Sequence, residues 1–198
     1  RRALEAIERY RVTIFPGVPT MFAIMLNYKF DREYDLSSLR FCLSSVAALP
    51  LSLYQQFKER FGLKLFDFLG LSEGRPVLGY VVSEETEPKP NSCGRAFRED
   101  GVEAKLVNNE GQEVATGETG ELIFHSPNVC LGYFKDPQAT SDLIKDGWCY
   151  TGDLLKQDAE GYFYFVERKK DLIKRGGEYI SPVEVEGAIY QHGCVAEV

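Results

Sequence analysis

Four stretches combine residue types suited to chemistry on a phosphate ester. Asp67-Phe68-Leu69-Gly70-Leu71-Ser72-Glu73-Gly74 closes an apolar, strand-like run. In parallel α/β sheets, ligands bind outside the carboxyl ends of the strands. A glycine such as Gly70 lets the backbone approach a flat or charged ligand there. Ser72 offers a hydroxyl to a phosphate oxygen, and Glu73 offers a hard oxygen to Mg2+. A plain strand-to-loop turn with a solvated glutamate is the competing reading. Asp146-Gly147-Trp148-Cys149-Tyr150-Thr151-Gly152-Asp153 puts a carboxylate after a tight Thr-Gly turn. There it can accept both hydrogen bonds of a ribose diol, or cap its own backbone. The segment from Glu167 to Gly177 carries Arg168, Lys169, Lys170, Lys174 and Arg175. It reads as a cationic strip serving a phosphate ester or as a solvated face. Gly117-Glu118-Thr119-Gly120-Glu121-Leu122, with Pro127-Asn128-Val129 and Leu131-Gly132-Tyr133, reads alone as a turn and a strand. Walker, dinucleotide-glycine and esterase-elbow patterns do not occur in the sequence.

The elements that must carry these residues follow from periodicity. Arg1 to Tyr10 has helical spacing at Leu4, Ile7 and Tyr10; Thr20 to Lys29 and Leu51 to Phe61 also read as helices, the last ending at Gly62. Val12 to Phe15, Leu39 to Ser44 and Leu63 to Leu69 read as strands between them. That alternation predicts a mainly parallel sheet over residues 1–94. The breakers Glu87 to Asn91 precede a block of short strands over 95–168, of which Glu103–Val107, Glu121–Phe124 and Tyr162–Val166 are clearest. Turns at 109–111 and 159–161 suggest hairpins, and Pro137 to Lys145 suggests one helix. This block predicts a small antiparallel, barrel-like unit. From residue 169 a third unit begins, with a capping box at Ser181, Pro182 and Glu184 opening a helix. The predicted class is therefore α/β: a parallel sheet with helices, an antiparallel barrel-like subdomain, and the start of a smaller α+β lid.

The composition narrows the partners. Of 198 residues 44% are hydrophobic and 27% charged, enough apolar residue for a packed core in one or two domains. The net charge of -7 argues against a nucleic-acid partner. No apolar run is long enough to cross a membrane, and no signal peptide opens the chain. Cys42, Cys93, Cys130, Cys149 and Cys194 have no metal-ligand spacing, and an odd number cannot all pair. They predict reduced thiols in a cytoplasmic protein. His125 and His192 stand too far apart for a recognised metal motif. The first residue is Arg, which suggests part of a longer protein.

Taken in order, these stretches resemble the adenylate-forming superfamily of acyl-CoA synthetases, luciferases and peptide-synthetase adenylation domains. Phe15-Pro16-Gly17-Val18-Pro19-Thr20-Met21-Phe22 resembles the border of the acyl pocket. Asp35-Leu36-Ser37-Ser38-Leu39-Arg40 resembles what precedes the family's Gly-Ala-Pro adenine loop, which here reads Ser44-Ser45-Val46-Ala47-Ala48-Leu49-Pro50. Leu69 to Glu73 occupies the Tyr-Gly-x-Thr-Glu motif; Gly120 to Tyr133, Tyr150 to Asp153, and Arg168 to Gly177 match the next three. The resemblance implies a carboxylate attacking ATP to give an acyl-adenylate, then transfer to coenzyme A. It implies that Val46, Ala47, Asp67, Phe68 and Leu69 line the adenine pocket, that Gly70 is also among the cofactor-binding residues, and that Ser72 contacts the α-phosphate. It further implies that Glu73 holds Mg2+, that Asp153 and Arg168 hold the ribose, and that Lys170 is the hinge of a lid carrying Lys174. Leu69 replaces the family's aromatic residue, Ser72 its Thr, Val46 its Gly, and Glu167 a Gly before Arg168. The closest branch is the fatty acyl-CoA synthetases, with a medium or long fatty acid as substrate. Aryl acid ligases and a non-catalytic nucleotide- or partner-binding relative are the alternatives. A membrane- or RNA-binding role for the basic strip comes third, with peripheral membrane association left open; the oligomeric state is not readable. The family's phosphate loop and distal catalytic lysine are expected outside these residues, so the chain alone is predicted not to form adenylate.

Overall fold

A computed structural model describes residues 1–29, 32–175, 178–189, 192 and 195. Helix α1 (Arg2–Tyr10) buries Leu4 and Ile7 and ends where Arg11 turns left-handed. Strand β1 (Ile14–Gly17), helix α2 (Pro19–Asn27), strand β2 (Phe41–Ser44), helix α3 (Leu51–Phe61) and strand β3 (Lys64–Asp67) then alternate. The three strands form a parallel sheet in the order β1-β2-β3. Helix α3 buries Leu53, Tyr54 and Phe57 and is closed by Gly62 at φ +66, as its left-handed cap requires. Phe22 packs edge-on against Phe15 and Phe57, with ring centroids 5.8 and 5.2 Å away. Strand β1 lies two residues beyond the apolar run predicted for it and contains Pro16. Among the described residues β1 pairs only with β2, and Pro16 has no N–H to give to a ladder.

The antiparallel part starts earlier than the breaker cluster. Strands β4 (Leu69–Leu71), β5 (Gly74–Gly79) and β6 (Arg95–Ala96) pair in that order. The predicted run from Leu63 to Leu69 is therefore broken at Phe68, which stacks on Phe97 at 6.2 Å. Beside it the backbones of Gly79 and Gly94 touch: a Cβ on Gly94 would stand 1.9 Å from the Gly79 carbonyl oxygen.

Strands β7 (Glu103–Val107) and β8 (Gly120–His125) come next. Helix α4 (Pro137–Leu143) follows, capped by the Asp136 carboxylate, and then β9 (Ile144–Lys145), β10 (Trp148–Gln157) and β11 (Phe163–Arg168). They form a curled antiparallel half-barrel in the order β11-β10-β8-β7, with β9 on β10. Leu106, Leu122, Phe124, Leu155 and Phe163 fill its core. The Cys93 N–H donates to Phe163 O, and the Phe163 N–H donates to Gly94 O, both at 2.9 Å. A cluster of Phe41, Phe66 and Tyr80, with Tyr162 against it, joins the half-barrel to the parallel sheet. Strands β12 (Ile173–Arg175) and β13 (Glu178–Ile180) form a hairpin, and helix α5 (Pro182–Ile189) follows. Cys42, Cys93 and Cys149 are buried free thiols and Cys130 is half-buried; Cys194 lies outside the described residues. Among the described residues no helix is long and apolar enough to cross a membrane.

Candidate functional site

The carboxyl edge of the parallel sheet is one row: Gly17 pairs Ser44, and Ser44 pairs Asp67. Burial is nearly complete at both polar residues of the row. Ser44 Oγ and Asp67 Oδ1 meet no well-formed hydrogen-bond partner among the described residues, although the Ser44 hydroxyl and the Phe68 and Leu49 N–H groups lie close enough to ease the Asp67 charge. Burial pushes the Asp67 carboxyl up to about 7. The loop leaving β2 exposes Val46 and Ala47 beside this row, with Val46 at φ +82. The segment leaving β3 follows the same edge: the Phe68 N–H donates to Ser44 O at 2.9 Å, and Leu69 and Gly70 lead into β4.

Ser72 and Glu73 form the two-residue turn between β4 and β5, whose flanking Leu71 and Gly74 pair. Ser72 is exposed and Glu73 half-buried. The Tyr133 hydroxyl donates to Glu73 Oε1 at 2.6 Å, and the Cys130 N–H donates to Glu73 O at 2.7 Å. The hydrogen bond to Glu73 pushes the Tyr133 phenol up to about 12. Among the described residues no group of three or more acidic, His or Cys side chains could hold a metal. A lone carboxylate still suits Mg2+, which keeps most of its waters and is completed by substrate phosphates.

The third wall is where β10 meets β8 and β11. Its pairing with β8 shifts between Tyr150 and Leu154, with Gly152 at φ +72 inside the irregularity. Such bulges re-aim side chains. Thr151 Oγ1 donates to Leu122 O at 2.8 Å and accepts the Asp153 N–H at 3.0 Å. Glu121 accepts the Gly152 N–H at 3.0 Å and the Lys169 ammonium at 2.6 Å. Asp153 sits opposite Arg168, whose Nε stands 3.2 Å from Asp153 Oδ1. Burial raises the Asp153 carboxyl, and Arg168 and Lys170 counter it. Glu167, fully buried, accepts the Arg168 N–H at 2.8 Å and the Ser181 hydroxyl at 3.0 Å.

Buried Cys93 links two of these walls. Burial pushes its thiol up to about 12, and the nearby Asp67 and Asp153 carboxylates add to the rise. Cys149, four residues before Asp153 on β10, is likewise near Glu73. Thus the charges of Asp67 and Asp153 are both felt at the Cys93 thiol, and that of Glu73 at Cys149, at the start of the strand that carries Asp153. Lys170 stands exposed in the turn after β11, within electrostatic reach of Asp153. Lys174 pairs with Tyr179 through the backbone; its side chain, Gly176, Gly177 and the Glu184 side chain of the predicted capping box lie outside the described residues.

Two corrections concern the acyl-pocket stretch and β10. Phe22 and Met25 are buried in the core, so the most exposed apolar side chains of α2 are Met21 and Ile24, with Ala23 and Leu26 half-buried. Strand β10, ten residues long, was predicted only as a turn carrying Asp153. Sequence reasoning also did not single out Ser44, Glu121, Lys169 and Tyr133 as site residues. Glu121 and Tyr133 stand in motifs whose partners lie 48 and 60 residues away.

Residues 1–134 match the family described as AMP-binding enzyme. The chain belongs to that family. It is 39% identical over 198 residues to a long-chain-fatty-acid–CoA ligase of Bacillus subtilis (strain 168), covering 98% of this chain and 34% of the relative. A feruloyl-CoA synthase of an Amycolatopsis species is 38% identical over 94% of this chain and 38% of its own length. Among solved structures, an anthranilate CoA ligase in complex with anthranoyl-AMP superposes with a TM-score of 0.89 at 35% identity, over 99% of this chain and 37% of that one. The chain thus falls in the adenylate-forming acid–CoA ligase superfamily, and it spans about a third of the length of the curated relatives it matches.

Proposed function

We propose that the chain forms the adenylate-facing part of an ATP-dependent acid–CoA ligase. In the first half-reaction a carboxylate oxygen attacks the α-phosphorus of ATP, and the bond to pyrophosphate breaks. In the second, a coenzyme A thiol loses its proton, its sulfur attacks the acyl carbonyl, and AMP leaves. The observation that carries this reading is the pair of orphaned polar atoms, Ser44 Oγ and Asp67 Oδ1, buried at the carboxyl edge. A buried acceptor without a donor is a costly arrangement. The exocyclic amine of adenine supplies such a donor, and the flat ring would lie along Val46, Ala47, Phe68, Leu69 and Gly70. Asp153 would accept from the ribose hydroxyls, oriented by Arg168. Ser72 would donate to the α-phosphate. Glu73 is the residue that would hold Mg2+, which when bound offsets phosphate charge. Because the protein's work is orientation and charge balance, side chains spread over three sheets suffice.

A hydrophobic acid is favoured by the exposed Met21 and Ile24 on α2. The long-chain-fatty-acid–CoA ligase similarity favours a fatty acid. Relatives named feruloyl-CoA synthase and indoleacetate–CoA ligase favour an aryl acid as the second reading. We further infer that residues 169–198 open a lid turning about Lys170 between half-reactions, and that the chain by itself binds adenylate without turnover.

The test is AMP binding by titration calorimetry. Asp153→Ala removes both ribose acceptors and should weaken AMP by about tenfold or more, on the order of 1.5–3 kcal/mol for hydrogen bonds to a charged group. An unchanged AMP affinity removes Asp153 from the site.

A further inference from the structure

Glu73 lies on a two-residue turn, where a glutamate side chain is ordinarily mobile and loses considerable rotamer freedom when fixed. Here it is fixed from outside. The segment 126–140, remote in sequence, reaches it twice, through the Tyr133 hydroxyl and the Cys130 N–H. That segment is itself braced. The Tyr133 N–H donates to Thr140 Oγ1 at 2.8 Å, and Thr140 Oγ1 donates to Asp136 O at 2.8 Å. Asp136 Oδ1 in turn accepts the Ala139 N–H at 2.9 Å, at the start of α4. Gly132, at φ +138, permits this: a Cβ there would stand 2.5 Å from Thr140 Cγ2. The Tyr133 ring is thereby a short strut between a capped helix and one oxygen of the carboxylate. Among the described residues, Glu73 Oε2 meets no donor.

We propose that Tyr133 is the positioning residue for Glu73. By occupying Oε1 it turns Oε2 toward a divalent cation carried by the nucleotide. The proposal rests on the reading of Glu73 as the residue that would hold Mg2+. Partners that orient a metal-binding carboxylate commonly change metal affinity by 10–100-fold when removed.

The experiment follows Mn2+, used as the probe, by electron paramagnetic resonance on the chain in the presence of ATP, with calorimetric AMP affinity measured in parallel. Tyr133→Phe, which deletes only the hydroxyl, should weaken Mn2+ by roughly tenfold and weaken AMP by much less. Thr140→Ser, which keeps the brace, should restore neither loss nor gain relative to the unmodified chain. Glu73→Gln separates the two readings. If Glu73→Gln weakens Mn2+ and Tyr133→Phe does not, the positioning role is overturned and the Glu73 reading stands. If neither substitution weakens Mn2+, or the unmodified chain takes up none, the Glu73 reading fails and the positioning role fails with it. If Tyr133→Phe weakens Mn2+ and AMP equally, the hydroxyl serves the fold alone, and the proposal is overturned.

Discussion

At the carboxyl edge of the parallel sheet, Ser44 and Asp67 are buried, and Ser44 Oγ and Asp67 Oδ1 meet no well-formed partner. Where β10 meets β8 and β11, Glu121, Asp153 and Glu167 are just as buried, but every one is met: Glu121 by Lys169 and the Gly152 N–H, Asp153 by Arg168, Glu167 by Ser181 and a backbone N–H. A buried acceptor left without a donor costs about 1–3 kcal/mol. The first region therefore carries a deficit that a ligand with a hydrogen-bond donor would relieve. The second is complete in itself and can hold its shape before any ligand arrives. Active sites commonly trade stability for function in this way, and here the trade is confined to one edge.

The largest expected effect tests the complete region. Glu121→Ala would strip the Lys169 ammonium and the Gly152 N–H of their acceptor at the centre of the β10 irregularity. Breaking a buried pair costs about 3–5 kcal/mol. Lys169 is over a third exposed and can turn to water, so the expected loss is roughly 2–3 kcal/mol by urea unfolding. Glu121→Gln, which keeps an acceptor for Gly152, should lose less. If Glu121→Ala leaves the unfolding free energy unchanged, the contrast between the two regions is not energetic.

The next effect has the opposite sign and tests the incomplete region. Asp67 titrates near 7 in the fold against an ordinary 3.8. The folded state therefore binds this proton more tightly than the unfolded state. Stability contributed through Asp67 is fully present below about 4, is lost as pH rises from about 4 through 7, and does not change further above that. Asp67→Asn removes the charge and should stabilise the ligand-free chain at pH 8 by on the order of 2 kcal/mol. The gain should shrink toward zero near pH 4. A gain that persists at pH 4 would assign the effect to something other than the carboxylate charge.

The two regions also differed in how much of them the sequence disclosed. Strands β2 and β3 and helix α3 follow apolar spacing and a terminal glycine, so the edge carrying Ser44 and Asp67 was legible as a strand terminus. Local patterns suffice there because a parallel sheet flanked by helices is built from short-range repeats. Strand β10 was not legible as a strand. Thr151-Gly152-Asp153 breaks the alternation, and a bulge looks like a turn in one dimension. Asp153 and Arg168 were singled out by their motifs, but the pairs Glu121–Lys169 and Tyr133–Glu73 depend on contacts 48 and 60 residues apart. Nothing in the residue types announces such partners. The antiparallel part starts at Leu69 and not at the breakers for a related reason: Pro88 is a strong local signal, whereas Phe68, where the pairing changes, stacks on Phe97, a partner remote in sequence.

The smallest expected effect asks whether the edge stores backbone strain as well as unmet hydrogen bonds. Val46 holds φ +82, a region where a β-branched residue is an outlier. Such conformations cost about 1–3 kcal/mol. The side chain is 80% exposed, so removing it sacrifices little burial. Val46→Gly relieves the strain but makes the unfolded chain freer, a loss of roughly 0.5–1 kcal/mol. The net expectation is a gain of about 1 kcal/mol, or a thermal midpoint raised by about 2–4 °C for a chain of this size. Val46→Ala, which keeps a Cβ at positive φ, should gain less than Val46→Gly. Equal gains from the two would trace the cost to β-branching alone. No gain from either would mean that the loop after β2 relaxes freely, leaving the unmet oxygens of Ser44 and Asp67 as the whole of the deficit at that edge.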